Sequence, residues 1–381
     1  MSVAFVTNFC PHYRVRTFEM IADRLDAEFF FFSPGREWYW PAGYGVRSGA
    51  FPHRYLRGFG FAGASITPSL PCHLARRRHT AVVKCVNGRF ALPATYLTAR
   101  ARGLPFVLWT GVWHKLQSGP HRFLHPLTRS LYRRSDAVVT YGEHVRRFLV
   151  AEGVEPERIF VAPHATDAEL YGRSVSDEEL ATLRHRLHLP AGRPVVLYLG
   201  RLERAKGVHL LLDAFLGGPI VDAVLLFVGS GIEKEALMRR TAEAGAGDRV
   251  RYAPAISPEE APAYHAMASV LVLASITTPR FKEPWGLVVN EAFHQGTPVV
   301  TSDAVGAAAG GLVEDRVTGL VVPEGDPIAL GRALRQVLLD DDLRRRLGGT
   351  ARDRVADWSN ERMVQGFADA VAAARRRRRR T

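Results

Sequence analysis

Cysteine is scarce. Cys10, Cys72 and Cys85 are the only three in 381 residues, an odd number with no metal-ligand spacing. That argues against a disulfide framework and fits ordinary buried thiols in a reducing compartment, so a cytoplasmic location is expected. Long apolar runs are also missing. No stretch approaches the roughly 20 residues of a membrane span. The start, Met1-Ser-Val-Ala-Phe-Val-Thr7, lacks the basic region and long apolar stretch of a signal peptide. It reads instead as a first buried strand. No low-complexity segment argues for disorder. What is present is a 47% hydrophobic composition, ample for a large core, in a chain long enough for two domains.

Charge is placed unevenly. Residues 1–190 hold 25 Lys/Arg against 15 Asp/Glu, whereas 191–374 hold 20 against 23, and Arg375 to Arg380 add six more. A basic first half and a basic tail suit an anionic surface or substrate. For the tail, anionic membrane lipid fits best, at about 1 kcal/mol per basic residue near the surface. A disordered, merely solubilising tail reads equally well. Nothing else in the chain supports nucleic acid as a partner.

The periodicity alternates between strand and helix. In the first half the strands are Val3–Thr7, Glu28–Ser33, Ala81–Val86, Pro105–Thr110, Ala137–Thr140 and Ile159–Ala162. Helices are expected over Thr17–Leu25 and Pro93–Arg102, and from Glu143. A second set begins at Pro194. It has strands at Val195–Leu199, Ala223–Val228, Arg249–Ala253, Val270–Ala274 and Val299–Thr301, with an amphipathic helix over Val208–Phe215. Repeated β-then-α spacing predicts two doubly wound parallel sheets, an α/β fold. The boundary belongs in 163–193, which is rich in charge, Pro and Gly. The expected domains are 1–165 and 166–360, with a helix over about 361–374 returning to the first and a basic tail over 375–381. Two such domains would leave a cleft along the carboxyl ends of their strands, where ligands bind.

Two stretches carry chemistry. In Glu283-Pro-Trp-Gly-Leu-Val-Val-Asn-Glu291, two carboxylates stand eight residues apart around Gly286, where a helix could begin. Leu287, Val288 and Ala292 are read as the apolar backing of a helix that ends at Gly296, before Pro298. If the segment were helical throughout, the carboxylates would be about 12 Å apart at 1.5 Å per residue. That is too far for one reacting bond, yet suited to gripping an elongated ligand. The second stretch, Gly200-Arg-Leu-Glu-Arg-Ala-Lys-Gly207, leaves a buried strand and enters a helix. Arg201 and Lys206 beside a helix N-terminus suit a phosphate group.

Together these stretches resemble the retaining, GT-B-fold glycosyltransferases of family 4. The resemblance rests on the Glu283/Glu291 pair, the Gly200-Arg201-Leu202…Lys206-Gly207 loop, Pro298-Val-Val-Thr-Ser-Asp303 and Val317-Thr-Gly-Leu-Val-Val-Pro323. It implies two Rossmann-like domains facing across a cleft, the N-terminal one for acceptor and the C-terminal one for nucleotide-sugar donor. It implies that Gly200, Arg201 and Lys206 hold the donor's pyrophosphate and stabilise charge on the leaving phosphate. Glu291 would bind the ribose. Glu283 would bind the transferred sugar, helped by N–H groups near Trp285, Gly286 and Leu287. Ile256 would lie near the base, with Ala255 where the family commonly has Gly. No cofactor and no metal are expected beyond the nucleotide sugar as co-substrate. Asp340-Asp341-Asp342 contains an Asp-x-Asp, but it precedes a charged helix and reads as helix-start acids.

The first half departs from the family pattern. Where a Gly-Gly loop is common, this chain has Asn8-Phe-Cys-Pro-His-Tyr-Arg-Val-Arg16. His12, Tyr13, Arg14 and Arg16 are therefore candidate acceptor or donor contacts through their side chains, with packing of Tyr13 and Arg14 at a helix start as the competing reading. His114, following Trp113 in the loop after the strand ending at Thr110, is a candidate catalytic His, and Trp113 a candidate acceptor contact. His164 is read as structural. The segment 29–61 carries twelve aromatics. Of these, Phe29–Phe32 reads as a buried strand, while Trp38, Tyr39 and Trp40 are candidates to face an acceptor or a membrane interface.

The leading expectation is transfer of a sugar from a nucleotide-diphosphate donor to a hydroxyl acceptor. A glycoside hydrolase would need its carboxyls about 5–9.5 Å apart and leaves the Arg/Lys loop unexplained. A nucleotide-sugar epimerase is the other enzymatic rival. A membrane- or nucleic-acid-binding module with a dead site is the non-enzymatic one.

Overall fold

A computed structural model describes residues 2–33, 35, 49–61, 64–76, 79–217 and 222–380, with no side-chain description at 120, 121 and 380. Trp38, Tyr39 and Trp40, with Arg36 and Arg47 around them, lie outside the described residues. The chain divides into two compact units, one of residues 1–115, 119–164 and 360–381, the other of 116–118 and 165–359.

The first unit is built on seven parallel strands: β1 (Val3–Thr7), β2 (Ala27–Phe31), β3 (His53–Tyr55), β6 (Ala81–Cys85), β7 (Phe106–Thr110), β8 (Ala137–Thr140) and β9 (Ile159–Val161). Their order is β3-β2-β1-β6-β7-β8-β9. A separate antiparallel pair joins β4 (Phe59–Phe61) to β5 (Ala64–Ile66). Every residue of β1, β2, β6 and β7 is buried, because helices cover both faces of a parallel sheet. Aromatic rings fill one face: Phe29 lies 4.7 Å from both Phe5 and Phe18 and 4.9 Å from Phe51. Each fully buried Phe contributes about 1.5–3 kcal/mol.

The helix Asn360–Arg380 belongs to this unit. Its Phe367 ring lies 5.5 Å from Phe5 and 5.4 Å from Trp109, and Thr17 donates to Asn360 Oδ1 at 2.7 Å. Gly366 lets it press on β9, since a Cβ there would meet the Val161 carbonyl oxygen at 2.6 Å. This corrects the expected tail: the helix does not stop near 374 but runs through the arginines to Arg380. Three of them hold partners in the unit, Arg375 on Thr80, Arg377 on Glu155 and Arg378 on Asp136. Paired arginines on a helix end have no reason to melt into a random tail.

The second unit has six parallel strands: β10 (Val195–Leu199), β11 (Val224–Val228), β12 (Val250–Ala253), β13 (Val270–Leu273), β14 (Val299–Ser302) and β15 (Gly319–Val322). Their order is β12-β11-β10-β13-β14-β15. The order reverses between β10 and β13, which places the switch point, and hence the ligand-binding edge, at the carboxyl ends of those two strands. Residues 163–193, where the domain boundary was expected, contain the helices Ala168–Tyr171 and Asp177–Arg186. Both are capped by acids or Ser: Asp167 accepts from the Glu169 and Leu170 N–H groups, and Ser176 from that of Glu179. Charge there marks helix faces and caps rather than a flexible link.

Candidate active site

The site of the second unit starts where β10 ends. Gly200 follows Leu199 with φ 152, its N–H donating to the Val228 carbonyl at 3.0 Å. A Cβ on Gly229 would meet the Gly200 oxygen at 2.0 Å, and one on Gly231 the Leu202 oxygen at 2.2 Å. The Gly229-Ser-Gly231 turn after β11 therefore lies flush against the Gly200–Leu202 loop. Arg201 donates Nη1 to Glu203 Oε1 at 2.5 Å, and its carbonyl accepts from the Tyr198 hydroxyl at 2.6 Å. Burial, then the Glu283 carboxylate, push that hydroxyl's pKa up, so it stays protonated and holds the loop. A short 3-10 turn, Arg204–Lys206, leads to Gly207, left-handed at φ 68, which starts the helix Val208–Leu216. No other residue fits at Gly207, because a Cβ would sit 1.8 Å from the Ala274 oxygen.

Ala274 and Ser275 follow β13, the other strand of the switch point. Here the two motifs meet. Lys206 Nζ pairs with Glu283 Oε2, which also accepts from the Ser275 hydroxyl at 3.0 Å, and Nζ lies 4.8 Å from the centre of the Phe281 ring. Glu283 is 6% exposed. Its burial beside a lysine and a hydroxyl keeps a carboxylate at the sheet edge without leaving the charge uncompensated.

The helix after Glu283 starts at the glycine where the sequence suggested it and stops just short of Gly296. It spans Leu287–His294, with Gly286 as its N-terminal cap at φ 95. Glu283 instead lies in extended backbone bridged to Val305, and its carbonyl accepts from Gly306 N. The 12 Å estimate, which assumed one helix through both acids, is therefore corrected: only Glu291 is helical. The reason is local. The ring of Pro284 steers the residue before it, Glu283, out of the helical region, and a left-handed Gly286 breaks helical dihedrals. The buried side of the helix is also corrected, to Val289, Asn290, Ala292 and Phe293, with Leu287 and Val288 only half-buried.

Trp285, a candidate donor contact, has its indole inside the unit. It is 2% exposed, its Nε1 donates to Asn290 Oδ1 at 2.8 Å, and its carbonyl accepts from Ala307 N at 2.8 Å. The indole packs and orients the turn rather than facing a ligand, which leaves the backbone of Gly286 and Leu287 at the helix start as the group of interest. Glu291 stands in a different cluster from Glu283. His265 Nε2 lies 3.4 Å from its Oε2, and burial together with the Glu291 carboxylate pushes up the pKa of Tyr171, which donates to it. Ile256 is half-buried in the loop after β12, beside exposed Ala255. Asp340 caps the helix Asp341–Val355, while Asp341 and Asp342 pair with Arg344 and Arg345 at 2.6 and 2.5 Å, as helix-start acids do.

Residues not singled out from the sequence complete both clusters: Ser275 at Glu283, and His265 and Tyr171 at Glu291. Ser275 carried a usable signal, being a polar residue just past the carboxyl end of a buried strand. Tyr171 carried none, since its four-residue helix lies in the boundary region, where no element was expected.

In the first unit, His12, Tyr13 and Arg14 form a 3-10 turn before the helix Val15–Leu25. His12 and Tyr13 are half-buried and Arg16 is exposed. Arg14 is the correction here. It is 3% exposed, with Nη2 2.8 Å from His164 Nε2 and Nη1 donating to Met363 Sδ at 3.0 Å. Its guanidinium stacks within 5.1–5.7 Å of the Trp109, Tyr13 and Tyr141 rings. An arginine so enclosed packs the turn and does not reach for an acceptor. His164 is 6% exposed in the same cluster. Trp113 and His114 are half-buried on the loop after β7, with the Trp113 ring edge-on to His144 at 5.1 Å.

Known proteins resemble both units. The model of the family described as Glycosyltransferase Family 4 matches residues 16–170, and that of Glycosyl transferases group 1 matches 181–354. The D-inositol 3-phosphate glycosyltransferase of Xylanimonas cellulosilytica is 32% identical over 255 residues, 64% of this chain and 58% of that protein. The lipopolysaccharide core biosynthesis glycosyltransferase LpsE of Rhizobium meliloti is 32% identical over 195 residues, 51% and 54% of the two chains. The chain thus spans little more than half the length of these curated relatives. Among solved structures, Anabaena HepE in complex with UDP superposes with a TM-score of 0.77 at 20% identity, over 98% of this chain and 100% of that one. Sucrose-phosphate synthase from Thermosynechococcus elongatus gives 0.74 at 22%, over 97% and 98%. With one model matched to each parallel-sheet unit and a GT-B architecture throughout, the chain belongs to the GT-B-fold glycosyltransferases of family 4.

Proposed function

We propose that this protein transfers a sugar, with retention at the anomeric carbon, from a nucleoside-diphosphate sugar to a hydroxyl acceptor. The observation that carries this reading is the meeting of Lys206, Glu283 and Ser275 at the switch point, with Arg201 on the same loop as Lys206. HepE, which has also been solved with UDP-glucose, supports a nucleoside-diphosphate sugar as donor.

In this reading Arg201 and Lys206 bind the diphosphate, and their charge strengthens as the leaving phosphate becomes more negative. Glu283 accepts hydrogen bonds from hydroxyls of the transferred sugar, with the N–H groups at Gly286 and Leu287 supporting it. Glu291 takes the ribose. The bond between the anomeric carbon and the phosphate oxygen breaks as the acceptor oxygen bonds to the same face, and the leaving phosphate oxygen takes the acceptor's proton. The two side-chain cations supply the positive charge in place of a metal, so the reaction needs no divalent ion and no cofactor. His114, after β7 in the first unit, is the candidate to assist at the acceptor, with His12, Tyr13, Arg16 and Trp113 as acceptor contacts. The reaction is placed in the cytoplasm.

The hydrolase alternative requires Glu283 and Glu291 to act on one bond, yet the two hold separate partners. The test is transfer from labelled nucleoside-diphosphate sugars to candidate acceptors with a chelator present, reading the product's anomeric configuration by NMR. A retained linkage formed with chelator supports the proposal. An inverted linkage, loss of transfer on chelation, or hydrolysis without transfer overturns it.

A further inference from the structure

Residues 38–135 contain fifteen Lys/Arg and no acid. The helix Gly119–Arg134 ends this span, with four arginines and no Asp or Glu. Its inner side is anchored. Leu131 and Tyr132 are buried, and His125 and Arg129 reach the carboxylate of Glu152 at 3.1 and 3.5 Å. Its outer side is not. Phe123 is 89% exposed, Leu127 49% and Leu124 39%.

A single exposed Leu needs no cause, but a Phe almost wholly in water with two leucines on the same helix does. Phe123 and Leu127 are four residues apart, hence neighbours on one helical side, and Arg122 and Arg134 are exposed near them. An apolar side flanked by arginines and free of acids suits a helix lying in the plane of a bilayer interface, where arginine stems run along the apolar layer and their heads reach the phosphates.

The arginine-rich end of the helix Asn360–Arg380 borders this surface. Arg378 and Arg100 share Asp136, and Arg100 also donates to the Arg134 carbonyl that ends the helix Gly119–Arg134. Of the C-terminal arginines, Arg376, Arg377 and Arg379 are exposed, Arg377 beside its partner Glu155. Nucleic acid would use these charges but would leave Phe123 and Leu127 unexplained.

We infer that the helix Gly119–Arg134 docks on an anionic lipid surface. Phe123 and Leu127 enter the acyl boundary, while Arg122, Arg134, Arg376 and Arg379 meet the head groups. The inference does not rest on the transfer reaction, because binding is read with neither donor nor acceptor.

The test is co-sedimentation of the whole chain with vesicles of phosphatidylcholine, with and without phosphatidylglycerol. Wild type is expected to bind the anionic vesicles and release them as salt rises. Phe123→Ser with Leu127→Ser should weaken binding roughly tenfold or more, with an unchanged melting temperature because both side chains are exposed. If that variant melts early, Arg122→Gln with Arg134→Gln decides, with a comparable loss expected. Equal binding by variants and wild type, equal binding to neutral and anionic vesicles, or retention of DNA without vesicle binding would overturn the inference.

Discussion

Lys206 and Glu283 lie 77 residues apart in the chain and form one ion pair. Each leaves a different strand of the β10/β13 switch point, so the pair joins the two halves of the second sheet where a ligand would sit. Lys206→Ala takes the paired cation away from a 6%-exposed carboxylate, and removing one partner of such a pair costs about 3 kcal/mol. Adding Glu283→Gln should restore most of that loss. Urea unfolding of wild type, the single variant and the double variant checks it; equal losses in single and double variants would mean the pair contributes nothing.

Gly207→Ala should be worse than an ordinary surface change. The position needs φ 68, and the new Cβ would meet the Ala274 oxygen at 1.8 Å. Backbone strain and the displaced strand end together should cost roughly 2–4 kcal/mol, visible as a lower melting temperature. Gly192→Ala is the control: it shares a positive φ but has open space around its Cβ, so it should lose much less.

The thiols should differ sharply. Burial pushes the Cys10 thiol up to about 12, despite Arg14 nearby pulling the other way. Cys72 is exposed. Iodoacetamide at mildly alkaline pH should therefore label Cys72 and spare Cys10, since only the thiolate reacts. Peptide mapping with early label on Cys10 would contradict its packing.

His294 gives a pH dependence with a definite sign. Burial holds its pKa below the usual 6.5, with Glu291 and Asp167 opposing more weakly. Near and below pH 6.5 the unfolded chain therefore takes up a proton that the folded chain does not. Stability is fully present above that pH and falls as pH drops through the folded value. His294→Gln should lose less stability than wild type between about pH 7 and pH 5. Unfolding curves at several pH values that keep the two proteins in parallel would rule this out.

The strands β1, β2 and β6 to β14 were legible because parallel, doubly covered strands are short, mostly apolar runs, and β1 and β8 match their sequence bounds residue for residue; β3, β4 and β5, three residues each and half-buried or exposed, and β15, which opens on Gly319, were not read as strands. The Gly200–Gly207 and Glu283–Glu291 motifs were legible because turns that bring backbone close together leave glycines at fixed spacing. Three further features were not. The helix Gly119–Arg134 carries Pro126 inside it, where one backbone hydrogen bond is lost and the usual signal fails. Arg14 looked like a surface cation because nothing local reveals that Trp109, Tyr141 and Met363, from distant elements, surround it. Tyr171 and His265 hold Glu291 from separate helices, and pairings of that kind are set only by the fold.

The most direct measurement is calorimetric titration of a nucleoside diphosphate into wild type and Arg201→Ala. Arg201 lies 21% exposed on its side chain and pairs with the half-buried Glu203 two residues on, outside the packed core, so the fold should survive its removal. A charged hydrogen bond to phosphate is worth about 1.5–3 kcal/mol, so affinity should fall roughly tenfold to a hundredfold with melting temperature unchanged. A variant that binds the diphosphate as tightly as wild type would contradict the placement of the donor phosphates at this loop.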